Sequence, residues 1–391
     1  MPHEPVGEVA FLSNHYWKSA RRAGFHGLAQ AFQDGGWKVR FVTTGLSRLS
    51  FLKTDPRLGG MKRAERNRWI TADDGVEAYV YCPPAHPFAR FSGTNPITDR
   101  LFAHLYRSGL PANLRHGLAS SDLIIFESSA ALLLFDMVGK LAPHARRVYR
   151  VSDDVRVVGM APSILAAEEK AVDHFDLISV PSRVLLKQRF GRLATARFHP
   201  HGLDIARLEA ARDAPPPELR RPNCVALGTT LFDPDLVALC ARARPDMWFY
   251  IVGALRLSRR IDLPNIVWCG ERPFEEALRM AAACDIAAAF YRPEKGAEYL
   301  AETSNKISQY AFLRKPIIGP HPLREPLRRM PFFPIEPRTE DGARAAIGRA
   351  LRCAPPEAPA DIVRPWTAVR NEIVEGVGFG ATGAAAANDD A

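Results

Sequence analysis

The sequence predicts an α/β protein built from two Rossmann-like domains, and three observations lead to that prediction. The chain of 391 residues is too long for one typical hydrophobic core, and its 47% of hydrophobic residues suffices for two. Short apolar strand patterns alternate with helical patterns along most of the chain, which favours parallel sheets with crossover helices. A proline-rich run from Asp213 to Pro217 interrupts this alternation and marks a boundary between domains.

The first domain is predicted to begin with a strand at 8–13, a helix at 19–32 that ends before Gly35 and Gly36, and a strand at 38–43. Further strand patterns lie at 76–81, 122–126, 147–152 and 176–180, and helical patterns lie at 130–141, 161–174 and 181–190. Asp153 and Asp154 come directly after the strand at 147–152. Because open parallel sheets bind ligands at the carboxyl ends of their strands, these two carboxylates are candidates for a functional site.

The second domain repeats the alternation. Its strands are predicted at 223–228, 248–253, 265–270, 285–291 and 317–319, with a helix at 271–283 and another from residue 301 to just before Pro316. We assign 1–203 and 204–358 to the two domains, 359–377 to a helix that packs back on the first domain, and 378–391 to a disordered tail. Two Rossmann-like domains facing across a cleft constitute the glycosyltransferase-B (GT-B) architecture. The dinucleotide motif G-x-G-x-x-G and the P-loop motif do not occur, which disfavours dehydrogenases and P-loop kinases.

The predicted helix after residue 301 has a start that suits an anion. Thr303, Ser304 and Asn305 are favoured N-cap residues, and Lys306 lies in the first turn. Backbone N–H groups at a helix start lack partners within the helix and carry partial positive charge, to which the lysine adds a full charge. The segment therefore predicts a site for the diphosphate of a nucleotide. The alternative is an ordinary capped surface helix with a solvated lysine.

The net charge of +9 predicts an acidic partner or surface. Nine basic residues and only two acidic ones lie between Lys38 and Arg68, interleaved with apolar residues. This mixture is typical of a peripheral protein that rests on an anionic membrane. The residues that we expect at the membrane are Arg48, Phe51, Leu52, Lys53, Arg57, Lys62, Arg63 and Arg66. A solvated basic loop is the alternative, and we expect no nucleic-acid partner because no zinc finger or RNA-recognition signature accompanies the charge.

Neither a metal nor a disulfide is expected. The six cysteines form no C-x-x-C pair and have no histidine at ligand spacing, which suits free thiols in a reducing compartment. Asp233 and Asp235 spell the D-x-D pattern of metal-bound sugar nucleotides, but Asp233 followed by Pro234 fits the N-cap and first position of a helix. With no signal-peptide pattern and no apolar run long enough to cross a bilayer, the protein is expected in the cytoplasm, peripheral on the inner face of the plasma membrane.

Several motifs occur together in the order expected of one family. They are S-N-H-Y-W at 13–17, R-V-S-D-D at 150–154, G-E at 270–271, Tyr291, and S-N-K-I-S-Q at 304–309. With these motifs the chain resembles the GumK-type glucuronosyltransferases, which add glucuronic acid to a lipid-linked oligosaccharide during xanthan assembly. The resemblance implies UDP-glucuronate as the donor and an oligosaccharide on a polyprenyl diphosphate as the acceptor. It also implies inversion at the anomeric carbon without a metal.

The resemblance also implies roles for individual residues. The implied contacts of the nucleotide are Glu271, Tyr291, Leu300, Ser304, Lys306 and Gln309. Family members carry methionines near the uracil, and this chain has Thr230, Arg272 and Asn305 in comparable places. One aspartate of the pair Asp153 and Asp154 is implied as the catalytic base. His15, Tyr16 and Trp17 lie in the first β-α loop, where an acceptor sugar could stack and form hydrogen bonds.

The function predicted from the sequence is therefore a metal-independent inverting glycosyltransferase of exopolysaccharide biosynthesis. Two alternatives stay open. A UDP-N-acetylglucosamine epimerase of the same fold would need acidic residues and a histidine around the sugar, and it would not need the basic apolar segment. A non-catalytic protein that binds a UDP-sugar or a polyanion would keep Lys306 and tolerate the loss of Asp153 and Asp154.

Overall fold

A computed structural model describes residues 5–19, 22–52, 61, 63–88, 95–228, 231–253, 261–292, 297–324, 326–355, 357 and 362–379. The chain forms two compact units. The first comprises Met1–His199 together with Trp366–Ala391, and the second comprises Pro200–Pro365. The sequence-based assignment ended the first domain at residue 203, a few residues later, and the proline-rich run 213–217 lies within the second unit.

The first unit is built on an eight-stranded sheet with the order β3-β4-β2-β1-β5-β6-β7-β8. In chain order its strands are β1 (Glu8–Ser13), β2 (Lys38–Thr43), β3 (Trp69–Thr71), β4 (Glu77–Val80), β5 (Leu123–Glu127), β6 (Arg146–Arg150), β7 (Leu177–Val180) and β8 (Ala196–Phe198). All neighbours pair in parallel except β3, which runs antiparallel to β4 at the edge. The carboxyl ends of β1, β5 and β6 therefore lie side by side.

The second unit contains a six-stranded parallel sheet with the order β11-β10-β9-β12-β13-β14. Its strands are β9 (Asn223–Leu227), β10 (Trp248–Val252), β11 (Ile266–Gly270), β12 (Ile286–Ala288), β13 (Ile317–Pro320) and β14 (Phe332–Ile335). Every residue of β9 and β12 is buried, as expected for central strands covered on both faces.

Helices connect the strands in both units. Along the chain they are α1 (Gly24–Asp34), α2 (Pro96–Ser108), α3 (Ala112–Ala119), α4 (Phe135–Leu141), α5 (Pro162–Ala171), α6 (Arg183–Leu185), α7 (Ile205–Asp213), α8 (Pro234–Ala243), α9 (Phe274–Ala283), α10 (Leu300–Thr303), α11 (Asn305–Phe312), α12 (Glu340–Leu351) and α13 (Trp366–Gly376). Several begin at side-chain caps. Asn95 caps α2, Asp204 caps α7, and Asp233 caps α8 with Pro234 at the first position, as the sequence indicated.

The C-terminal helix α13 completes the core of the first unit. Trp366, Val369 and Ile373 are buried in one cluster with residues of α1 and β1. Gly27 of α1 permits the close approach, because a Cβ atom there would lie 2.3 Å from Nε1 of Trp366. The helix lies within the segment 359–377 that the sequence assigned to it.

Some elements differ from the sequence-based expectation. The first helix begins at Gly24 rather than at 19, and the strand predicted at 285–291 is only three residues long in β12. The strands β3, β8 and β14 were not predicted, because each is short and lies at or next to a sheet edge, where the apolar pattern is weak. The helix predicted from 301 is divided at Ser304, whose extended backbone separates α10 from α11. Of the predicted disordered tail, 380–391 lie outside the described residues.

Candidate active site

In the second unit, three adjacent strands run into glycines with positive φ angles. Gly228 follows β9 with φ of +85°, Gly253 follows β10 with +148°, and Gly270 ends β11 with +69°. Gly228 matters most, because a Cβ built on it would lie 4.0 Å from Nζ of Lys306. The backbone at the end of β9 thus passes close to this ammonium without a side chain between them.

Lys306, in the first turn of α11, is held beside an aromatic ring. Its Nζ lies 4.0 Å from the centroid of the Tyr291 ring, and the Tyr291 hydroxyl donates a hydrogen bond of 2.7 Å to Oγ of Ser304. Burial lowers the pKa of Lys306 to about 7. No carboxylate of the described residues offsets this effect with an ion pair. We call Gly228, Tyr291, Ser304 and Lys306 the Lys306 site.

Two buried polar atoms flank Ser304. Oγ1 of Thr303 and Oδ1 of Asn305 have no hydrogen-bond partner in the described part of the protein. The sequence suggested that Thr303, Ser304 or Asn305 would cap the helix through its side chain, but α11 has no side-chain cap, and Ser304 Oγ is bound to Tyr291 instead. Within the described residues, the helix start therefore combines unpaired polar groups with an ammonium that has no carboxylate partner, and this arrangement suits an anionic ligand.

The other residues predicted to contact the nucleotide differ in how exposed they are. Leu300 is buried in α10, Gln309 is half-buried in α11, and Glu271 is exposed just after β11. Arg272 uses its guanidinium locally, because Nε donates to the carbonyl of Cys269 at 3.0 Å and Nη1 lies 3.3 Å from Glu276. Thr230 lies outside the described residues. The structure thus brings Tyr291, Ser304 and Lys306 together, and Leu300 joins them because its carbonyl accepts a 3.0 Å hydrogen bond from the backbone N–H of Ser304.

In the first unit, the carboxylate of Glu127 joins the ends of three strands. Its Oε2 accepts hydrogen bonds from Oγ of Ser13 (2.8 Å) and from the backbone N–H of Asn14 (2.6 Å). Its Oε1 accepts one from Oγ of Ser152 at 3.1 Å and lies 3.3 Å from Nε2 of His15. Burial by itself would raise the pKa of this carboxyl, but the charge of His15 and the hydrogen bonds outweigh it and hold the pKa of Glu127 below its usual range.

Glu127 was not among the sequence-predicted site residues. Glu127 is the last residue of an otherwise apolar strand and is followed by Ser128 and Ser129. A carboxylate at the carboxyl end of a parallel strand is the feature of the sequence that could have indicated a functional residue here. Ser128 adds a second link, because its Oγ accepts hydrogen bonds of 3.0 Å from the backbone N–H groups of Ser152 and Asp153. We call Glu127, His15, Ser128, Ser152 and Asp153 the Glu127 cluster.

The two adjacent aspartates have different environments. Asp154 is buried; its Oδ1 accepts a 3.0 Å hydrogen bond from the backbone N–H of Arg156 and pairs with the guanidinium of Arg189. Arg189 also pairs with Glu168. Asp153 is half-buried, and its backbone is fixed by Ser128 at the end of β6. Asp154 is thus engaged in an ion-pair network, whereas Asp153 lies in the Glu127 cluster.

Of the three residues predicted to meet an acceptor sugar, only His15 is substantially accessible. Tyr16 and Trp17 are 3% and 2% exposed. The Tyr16 hydroxyl donates to Glu65 at 2.6 Å, and the Trp17 ring packs 4.9 Å from that of Phe41. Contrary to the prediction, their rings are not available for stacking on a sugar, because the loop folds them into the core.

The basic segment is described only in part. Lys53, Arg57 and Lys62 lie outside the described residues, as do the side chains of Leu52 and Arg63. Arg48 is exposed, but Phe51 is half-buried, with the guanidinium of Arg66 3.3 Å from its ring centroid. Among the described helices, none has the length and apolar character needed to cross a membrane.

Comparison with known proteins supports the family resemblance. Residues 11–181 match the family model for the N-terminal domain of the glucuronosyltransferase GumK. The chain is 29% identical over 342 residues to UDP-glucuronate:glycolipid 2-beta-glucuronosyltransferase of Xanthomonas campestris pv. campestris. The aligned region covers 87% of this chain and 83% of that protein. The resemblance to GumK-type glucuronosyltransferases is thereby confirmed.

Solved structures confirm the fold class. An E. coli structure described as trehalose-6-phosphate bound with UDP-2-fluoro glucose superposes with a TM-score of 0.59 at 10% identity, covering 95% of this chain and 96% of that one. The UDP-forming α,α-trehalose-phosphate synthase of Burkholderia xenovorans superposes with a TM-score of 0.57 at 12% identity. That superposition covers 95% of this chain and 100% of the synthase chain. At these identities the likeness shows the fold alone, and that fold is GT-B.

Proposed function

We propose that this protein is an inverting glycosyltransferase that moves glucuronic acid from UDP-glucuronate to a glycolipid acceptor. The observation that carries the proposal is the Lys306 site, where a half-buried ammonium lies at a helix start beside two buried polar atoms, and where none of these three groups has an ion-pair or hydrogen-bond partner in the described part of the protein. The similarity to the Xanthomonas UDP-glucuronate:glycolipid transferase supports both substrate classes. The acceptor that we propose is an oligosaccharide on a polyprenyl diphosphate, used in exopolysaccharide biosynthesis at the inner face of the membrane.

The donor half of the reaction is assigned to the second unit. The diphosphate of the UDP-sugar is placed at the start of α11, where Lys306 and the helix dipole offset its charge. As the bond between the anomeric carbon and the diphosphate oxygen breaks, the leaving group gains charge, so these groups stabilise the transition state more than the bound substrate. Lys306 thereby takes the role that a divalent cation has in metal-dependent transferases, and no metal is required.

The acceptor half is assigned to the first unit. An acceptor hydroxyl attacks the anomeric carbon while its proton passes to Asp153, so that one displacement forms the new glycosidic bond, releases UDP and inverts the configuration. Asp154 is the poorer candidate for the base, because its charge is held by Arg189 and by the backbone N–H of Arg156. The Glu127 cluster fixes the segments that carry His15 and Asp153.

The proposal is tested with purified protein, UDP-glucuronate and a polyprenyl-diphosphate oligosaccharide, by measuring UDP release and the mass of the lipid product. The expected result is acceptor-dependent UDP release that persists in excess EDTA, together with a product heavier by one glucuronic acid residue. UDP-glucose and UDP-N-acetylglucosamine serve as comparison donors that test the specificity for glucuronic acid. Epimerisation of UDP-N-acetylglucosamine without an acceptor, or UDP-sugar binding with no turnover on any acceptor, would replace the proposal with one of the two alternatives.

A further inference from the structure

Residues 151–161 connect β6 to α5 and contain neither helix nor strand. Because the proposed base, Asp153, lies in this segment, its position depends on bonds to neighbouring elements. At the base itself, Oγ of Ser128 accepts a 3.0 Å hydrogen bond from the backbone N–H of Asp153. Directly after it, Oδ1 of the buried Asp154 accepts one of 3.0 Å from the backbone N–H of Arg156. The side chain of Asp154 therefore shapes the turn that follows the base.

The guanidinium of Arg189 holds Asp154 and a second carboxylate at once. Its Nη1 pairs with Oδ1 of Asp154, and its Nη2 pairs with Oε2 of Glu168 in α5. The hydroxyl of Tyr149, in β6, donates a 2.5 Å hydrogen bond to Oε1 of the same glutamate. The three charged side chains are at most 12% exposed, so water screens their attraction weakly. Arg189 thus joins the turn after the base to α5 and β6.

Arg189 is carried by a π-helical turn, Leu186–Phe190, which follows α6. Such turns are rare in proteins and occur frequently at functional sites. Phe190 anchors this one, because it is 2% exposed and its ring centroid lies 6.1 Å from that of Tyr149 in β6. The guanidinium therefore reaches Asp154 from a backbone that is itself packed against the strand before the base.

A second arginine of the same unit forms a similar double bridge away from the site. Nη1 of Arg40 pairs with Glu8, and its Nε pairs with Glu77 at 2.9 Å. The side chain of Arg40 is 9% exposed, close to the 12% of Arg189. Glu8 and Glu77 are the first residues of β1 and β4, so this bridge lies toward the amino ends of strands whose carboxyl ends face the site. Arg40 therefore shows what a purely structural bridge of this kind does.

We propose that Arg189 is a positioning residue of the transferase, which acts through Asp154 to fix the turn that carries Asp153. The proposal rests on the proposed function, in which Asp153 takes the proton of the acceptor hydroxyl. A base must lie within hydrogen-bond reach of that hydroxyl, and a displacement of about 1 Å can lower the rate roughly 100-fold. The planar guanidinium holds two carboxylates at fixed angles, whereas the ammonium of a lysine acts as a point charge. Arg189 touches no substrate in this role.

Steady-state kinetics of full-length Arg189→Lys, with UDP-glucuronate and the polyprenyl-diphosphate oligosaccharide, test the proposal. The lysine keeps a positive charge between the two carboxylates but not their orientation, so kcat should fall about 10- to 100-fold while the KM for UDP-glucuronate stays within about twofold. The loss should be smaller than in Asp153→Asn, because the base is still present. Backbone amides of 152–158 should exchange hydrogen faster than in wild type. In the matched control, Arg40→Lys, stability should fall while kcat and this exchange stay at wild-type values.

A wild-type kcat in Arg189→Lys would overturn the proposal, and so would an equal fall of kcat in Arg40→Lys. A higher KM for UDP-glucuronate with unchanged kcat would assign Arg189 to donor binding and would overturn it too. If Arg189→Lys does not fold, Glu168→Gln removes one of the two carboxylates that hold the guanidinium, and an unchanged kcat there would have the same meaning. Absence of transfer by wild type would overturn the proposed function and this role with it, whereas transfer that is indifferent to Arg189 would overturn this role alone.

Discussion

The ammonium of Lys306 lies 4.0 Å from the centroid of the Tyr291 ring, and the hydroxyl of the same tyrosine is bound to Ser304. The face of an aromatic ring attracts a cation, but it does not replace a counter-ion in a buried position. The described residues of the site therefore compensate the charge of Lys306 only in part until an anion binds. This property makes donor binding sensitive to pH and to the identity of residue 291.

The first prediction is that UDP-glucuronate binds more weakly as the pH rises above 7. Burial lowers the pKa of Lys306 to about 7 in the free protein. Below this pH the Lys306 side chain is already protonated. Above it, Lys306 must take up a proton when UDP-glucuronate binds, so the affinity for UDP-glucuronate should fall by up to about tenfold per pH unit. Calorimetry between about pH 6 and 8.5, in buffers of different ionisation enthalpy, measures both the affinity and the proton uptake.

Lys306→Arg is the matched control, because an arginine keeps its charge throughout this pH range. Its UDP-glucuronate affinity should not depend on pH and should involve no proton uptake. Lys306→Ala should bind the donor at least about tenfold more weakly at pH 6, since a charge-assisted contact is lost. A wild-type affinity that is constant with pH, or an alanine variant that binds normally, would contradict the assignment of Lys306 to the diphosphate.

The second prediction separates the ring of Tyr291 from its hydroxyl. Tyr291→Phe removes the hydrogen bond to Ser304 but keeps the ring beside Lys306, so donor affinity should fall by less than about tenfold. Tyr291→Ala removes both and also opens a cavity, so it should bind the donor more weakly and lose about 3 kcal/mol or more of stability. Equal effects of the two substitutions on donor affinity would show that the ring does not hold the ammonium.

The sequence could predict the start of the helix that carries Lys306 and the position of this lysine in its first turn because the signals are local. N-cap residues, a lysine and helical spacing all lie within a few positions, and the structure places Ser304 between α10 and α11 and Lys306 in the first turn of α11. The Glu127 cluster could not be found in this way. Ser13 and Glu127 are separated by 114 positions, and only the adjacency of β1 and β5 in the sheet brings them together. The burial of Tyr16 and Trp17 was missed for the same reason, since a polar β-α loop gives no sign that it folds back on the core.

The third prediction is that substitution of Asp153 lowers turnover, whereas substitution of the adjacent Asp154 lowers stability. Asp153→Asn should lose nearly all transfer to the acceptor while it binds UDP-glucuronate normally and keeps its stability, because a base acts in the transition state. Asp154→Asn should lose about 3 kcal/mol of unfolding free energy, because Arg189 is left with Glu168 alone. Turnover, donor calorimetry and thermal unfolding of both variants give the comparison. Full turnover by the Asp153 variant would place the base elsewhere.

The fourth prediction concerns Glu127. Glu127→Gln keeps the shape of the side chain but directs an amide N–H₂ group toward donors that already point at it, so stability should fall by about 2–4 kcal/mol at neutral pH. Turnover should fall with it, because the segments that carry His15 and Asp153 lose their common anchor. Conservative Glu127→Asp should restore part of the turnover.

The pH dependence of this effect has a defined sign. The folded-state pKa of Glu127 lies below the ordinary value of 4.5, so the stabilisation is fully present above 4.5 and is lost as the pH falls. The difference in unfolding free energy between wild type and Glu127→Gln should therefore be largest near neutral pH and should shrink on acidification. A difference that stays constant down to about pH 3 would indicate a packing effect unrelated to the carboxylate charge.

The last prediction is that the first unit depends on α13. A chain that ends at Pro365 loses the buried side chains of Trp366, Val369 and Ile373. Because burial of each large apolar side chain contributes about 1.5–3 kcal/mol, the unfolding free energy of the first unit should fall by on the order of 5 kcal/mol or more. It also loses Glu372, whose charge partly offsets the burial that lowers the pKa of Arg150 to about 9.

The Lys306 site belongs to the second unit, so UDP-glucuronate binding should survive this truncation while transfer to the acceptor is lost. Deletion of 380–391 alone is the matched control and should leave both properties unchanged, because it keeps all of α13. If the longer truncation does not yield folded protein, Ile373→Ala provides the same test with an expected loss of about 2–5 kcal/mol. A truncated protein that unfolds at the wild-type temperature and transfers normally would show that α13 does not complete the core of the first unit.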